Sequence, residues 1–94
     1  MSRITEAEIA DLVVAILSAT PEKQATIAQL IAEIPEHVTL SEEDLAPSTT
    51  RSGEAVWEQQ VRNITSHKKN PGNAIYKGRL EAIPGGLRLA RKAA

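Results

Sequence analysis

Gln59, Arg62, Asn63, Ser66 and Asn70 recur at helical spacing. Advanced by about 100° per residue they share one face, with Lys69 at its margin. Their chemistry suits base-edge recognition. An Arg guanidinium matches O6 and N7 of guanine, and an Asn or Gln amide matches N6 and N7 of adenine. The plainer alternative is a solvated helix face. Thr50, Arg51 and Ser52 precede this segment, where hydroxyls, a guanidinium and helix-start N–H groups suit phosphate; Ser52 suits a helix cap equally well. Lys68, Lys77, Arg79 and Arg88 follow, cations that can neutralise phosphates and release counterions. Lys68 projects toward the apolar side, where it can snorkel, and basic residues in a last turn also complement the helix dipole. His67, on the flank, suits a phosphate contact or a hydrogen bond within the fold. Tyr76 suits stacking on a sugar or base, or packing.

Other chemistries find little footing. The chain has no cysteine, which removes disulfides, thiolate nucleophiles and Cys-ligated zinc. His37 has no second ligand at metal spacing. There is no Gly-rich phosphate loop and no nucleophile with a matched base, so no catalytic residue, metal or cofactor is expected. The longest apolar cluster, around Leu12 and Leu17, is far shorter than the roughly 18–20 residues a membrane span needs, and the N-terminus does not read as a signal peptide. The expectation is a cytoplasmic, unprocessed domain with no membrane partner.

The elements that must position these residues are legible from spacing. Thr5 and Glu8 form a capping box, after which Ile9, Leu12, Val13, Ile16 and Leu17 make one apolar stripe that ends at Thr20-Pro21. Gln24, Ala25 and Thr26 read as a short edge strand. Thr26 and Gln29 repeat the box ahead of Ile27, Leu30, Ile31 and Ile34, a helix stopped by Pro35. Ser41 caps a single turn through Leu45, and residues 46–53 form a polar loop. A third main helix is expected over about 54–69, with Trp57, Val61 and Ile64 facing the core. Asn70-Pro71-Gly72-Asn73 and Ile83-Pro84-Gly85-Gly86 read as type II turns. Strand-like runs at 74–83 and 87–90 then make a basic hairpin over about 74–90.

Ninety-four residues suffice for one core, so residues 1–94 read as a single domain. The net charge of -1 conceals a division. Residues 1–48 carry two bases against nine acids, a net of -7, and residues 49–94 carry nine bases against three acids, a net of +6. A chain polarised this way would turn its second half toward a polyanion.

The order helix, strand, helix, turn, helix, hairpin predicts an α+β winged helix-turn-helix, a three-helix core with a C-terminal wing. Trp57, Val61, Arg62, Ser66 and His67, with the upstream run from Leu40 to Leu45, resemble winged-helix domains fused to restriction endonucleases, both the Mrr N-terminal type and domains attached to HNH nucleases. The likeness spans about residues 24–90. Lys68-Lys69-Asn70-Pro71-Gly72-Asn73 departs from it where many relatives continue with apolar residues, as does the lack of a Thr-x-x-Gly closing turn. The resemblance implies double-stranded DNA binding by a sequence- or modification-sensing reader in a restriction or regulatory system, with a nuclease domain or a second copy as further partners. The competing expectation is a protein-interaction or dimerisation module that uses the acidic first-helix face.

Overall fold

The structure, a computed structural model, describes residues 3–49 and 53–90. Helix α1 (Glu6–Ala19) starts at a reciprocal box: the Glu8 N–H donates to the Thr5 hydroxyl at 3.1 Å, and the Thr5 N–H donates to the Glu8 carboxylate at 2.9 Å. It ends where Thr20 turns extended ahead of Pro21. Strand β1 (Gln24–Thr26) leads into α2 (Ile27–Glu33), which starts at the Thr26–Gln29 box. Pro35 lies in a 3-10 turn (Ile34–Glu36) that finishes this helix. A four-residue helix α3 (Glu42–Leu45), the longer α4 (Val56–Ser66) and strands β2 (Leu80–Ile83) and β3 (Gly86–Leu89) complete the chain. The fold is α+β, with a three-stranded antiparallel sheet in the order β1-β3-β2. No helix among the described residues is long and apolar enough to cross a membrane.

Three expectations are corrected. Helix α4 is shorter at both ends than residues 54–69. At its start, Ser48 and Val56 N–H groups donate to the Glu54 and Ala46 carbonyls, a small extended pairing that holds 54–55 out of the helix. At its end, residues 67–73 leave in successive tight turns, His67 N–H to Asn63 O and Asn70 N–H to His67 O among them. Residues 74–79 are also turns, so the strand read over 74–83 begins only at Leu80. Finally, Asn73 N–H does close a turn onto Asn70 O at 2.9 Å, but Gly72 lacks the positive φ that a type II turn requires. Gly85, with φ 73 behind Pro84, has it.

Helix α1 lies under α4 and β3 and buries Ile9, Ala10, Val13, Ile16 and Leu17. Leu12 of the expected stripe is only half-buried. Trp57, Val61 and Ile64 of α4, Leu30 of α2, Ile34, Ala74, Leu80 and Leu87 complete the core. Nine aliphatic side chains are essentially fully buried. Each contributes about 1.5–3 kcal/mol, against at most about 1 kcal/mol for an exposed ion pair. Apolar burial therefore dominates the stability.

Asp44, 3% exposed, ties the chain start to α3. Its Oδ1 accepts from the Ile4 N–H at 2.7 Å and its Oδ2 from the Ser41 N–H at 2.9 Å. Burial pushes this carboxyl up, but those two N–H groups, the Ser41 hydroxyl and the Arg3 charge outweigh it and hold the pKa below the ordinary 3.8. A depressed folded-state pKa contributes stability that is present above the unfolded value and is lost as pH falls through the folded one. Asp44→Asn is therefore expected to cost about 2 kcal/mol at neutral pH and to flatten the stability loss below about pH 4, read by denaturant unfolding across pH.

Candidate functional site

The predicted face of α4 exists, but much of it is engaged within the fold. Arg62 is ion-paired with Glu54, with its side chain 40% exposed. Gln59 accepts from the Ser48 hydroxyl at 2.6 Å. The Asn63 amide donates to Gln60 Oε1 at 3.3 Å, a weaker contact, and Ser66 is exposed at the end of the helix. Ser66 and, beyond the helix end, Asn70 are thus the exposed members of this face, while Asn63 is half-buried and Arg62 must first release Glu54. Thr50, Arg51 and Ser52 lie outside the described residues. The helix N-cap is Ala55, whose N–H donates to the Glu58 carboxylate at 2.7 Å.

The remaining predicted bases do not share one wing. Lys77 and Arg79 precede β2, on the turns that join α4 to the sheet. Arg79 is ion-paired with Asp11 of α1 at 2.8 Å, and Arg88 is paired at 2.7 Å with Glu81, its direct cross-strand partner. The hairpin tip carries no charge, and its Gly85 carbonyl accepts from the Ile27 N–H at the start of α2. Among the described residues of the second half of the chain, the exposed bases without an acidic partner lie on the 67–79 segment at the C-terminal end of α4. Lys68, Lys69 and Lys77 are exposed there and make no ion pair among the described residues. Lys68 lies past the helix end, so it does not snorkel along the core. Asn70 is exposed as well, and Tyr76 is 58% exposed.

One residue holds this segment in place. Asn73, 4% exposed, donates from Nδ2 to the Ile64 carbonyl at 2.9 Å and to Glu6 Oε2 at 3.1 Å. Its Oδ1 accepts from the N–H groups of Ile75 at 2.7 Å and Tyr76 at 3.2 Å. The other oxygen of Glu6 contacts His67 Nδ1 at 2.7 Å, so His67 serves within the fold. Asn73 was read from sequence only as a turn position. The available signal was an Asn directly before Ala74-Ile75-Tyr76, the arrangement in which an Asx side chain caps the next turn. Between α1 and this segment lies a cleft of about 450 Å³ lined by Glu6, Asp11, Asn70, Asn73, Lys77 and Arg79.

The electrostatics follow from these pairings. All three acids of α1 are used internally: Glu6 by His67 and Asn73, Glu8 by the Thr5 N–H, and Asp11 by Arg79. Glu6 and Asp11 thus hold the second half of the chain against α1, whereas Glu8 caps its own helix. A second cleft, of about 500 Å³, opens between the end of α1, β1 and α2, with Glu22 and Glu33 among its lining residues. Compared with protein-family models, curated proteins and solved structures, the chain matches none.

Proposed function

We propose that this chain is a winged-helix domain that binds double-stranded DNA, with α4 presented to the major groove and the 67–79 segment on the adjacent phosphates. The observation that carries the reading is the set of unpaired cations Lys68, Lys69 and Lys77 gathered at one end of the polar helix. Every described arginine of the second half is paired with an acid, whereas these three lysines have no such partner among the described residues. A duplex supplies a phosphate row for such cations and rewards each contact with counterion release. The order of elements, with β1 and β2 flanking β3, supports the winged-helix reading. The likeness of the α4 sequence to endonuclease-fused winged helices extends it to a reader that delivers a partner domain to DNA.

Within this reading Asn63 and Ser66 meet base edges, Arg62 joins them after exchanging Glu54 for guanine or phosphate, and Lys69, Asn70 and Lys77 hold the backbone. Arg88 stays with Glu81 on the sheet and contributes only to the field. The internal use of Glu6, Glu8 and Asp11 counts against a protein-docking role for the first-helix face. Amide chemical-shift mapping during a duplex titration separates the two: perturbations concentrated over residues 62–79 are expected. Perturbations confined to the exposed residues of α1 and α2 would reject the proposed surface.

A further inference from the structure

We infer that the 67–79 segment holds an unpaired nucleobase beside the duplex, stacked on the ring of Tyr76; the inference rests on the DNA-binding reading above. Tyr76 and Leu45 are the two large apolar side chains that stand exposed among the described residues. Tyr76 is the one that lies on the lysine-bearing 67–79 segment, next to Lys77 in sequence. Its backbone is fixed on both sides: Asn73 Oδ1 accepts from its N–H, Lys77 N–H donates to Asn73 O at 2.9 Å, Gly78 N–H to Ile75 O at 3.0 Å, and Arg79 N–H to Ala74 O at 2.9 Å. Ala74, two residues earlier, is buried in the core. A ring on so rigid a base is a platform that costs little ordering entropy when a partner lands on it.

The surroundings suit a nucleotide. Lys77 follows in sequence, and around Gly78 (φ 78) there is open space where a side chain would otherwise stand, so a sugar-phosphate can approach the backbone. Lys68 and Lys69 leave α4 at the same end to which Asn73 ties this turn. A base inside a duplex shows only its edges in the grooves, and its faces are covered by neighbouring pairs. An exposed aromatic face is matched by a base whose own face is free, as in an overhang or at a strand junction, and such stacking is indifferent to base identity.

The test uses two probes of one sequence, a blunt duplex and the same duplex with a short single-stranded tail whose first base is 2-aminopurine. The expected result is roughly tenfold tighter binding of the tailed duplex, with quenching of 2-aminopurine fluorescence. Tyr76→Ala should remove both effects and Tyr76→Phe should keep them, with blunt-duplex affinity and melting temperature unchanged in each. Equal affinity for the two probes, or an equal loss on both in Tyr76→Ala, would overturn the stacked base while leaving duplex binding intact. Failure to bind either probe at low salt would instead overturn the DNA-binding reading itself.

Discussion

Alanine at Lys68, Lys69 and Lys77 together is expected to weaken duplex binding on the order of a hundredfold at about 0.1 M salt. It should also lower the slope of log affinity against log salt by about three. Arg62, Arg79 and Arg88 each spend part of their charge on Glu54, Asp11 and Glu81, so moving any of them onto a phosphate first breaks a pair. The three lysines break nothing. Being exposed and away from the core, they can be removed at little cost in stability, so an unchanged melting temperature accompanies the loss. Glu22→Ala with Glu33→Ala is the matched control on the acidic side and should leave affinity the same or slightly raised. A triple variant that binds as tightly as the parent would show that the phosphate surface lies elsewhere.

The second large effect is structural. Gly86 opens β3 where it passes β1, and a Cβ there would stand 2.1 Å from the Ala25 carbonyl oxygen and 2.8 Å from Thr26 Cα. Both are backbone atoms that cannot turn aside. Gly86→Ala must push β1 off β3 and disturb the Thr26 cap that starts α2. A cost of roughly 3 kcal/mol is expected, which for a domain of this size lowers the melting temperature by about 10–20 °C. Gly85→Ala is the informative comparison. Its φ of 73 disfavours a side chain, yet a Cβ there meets nothing, so only about 1 kcal/mol should be lost. Equal melting temperatures for the two variants would contradict the close β1–β3 approach.

What the sequence made legible was local. The Thr5–Glu8 and Thr26–Gln29 boxes reach only three residues, and both form as spacing predicts. Trp57, Val61 and Ile64 fall into the core because one apolar stripe at helical period has one place to go. The misreadings arise where side chains take up backbone groups, or distant partners, that periodicity does not register. Residues 74–79 alternate like a strand, but the Asn73 side chain captures the following N–H groups and winds them into a turn. Its hold on Ile64 and Glu6 depends on α1 being alongside. His67 and Glu6 are separated by 61 positions, and no periodicity announces that pair. The charge division between the halves was visible from composition alone. That part of it is spent in joining the halves, through Arg79–Asp11, was not.

The most direct measurement is equilibrium fluorescence anisotropy of the unaltered chain with a labelled blunt duplex, from about 20 mM to 300 mM salt. Saturable binding at low salt, with affinity falling by orders of magnitude across that range, is the predicted result. No binding at the lowest salt, or binding indifferent to salt, would contradict the assignment of this domain to DNA.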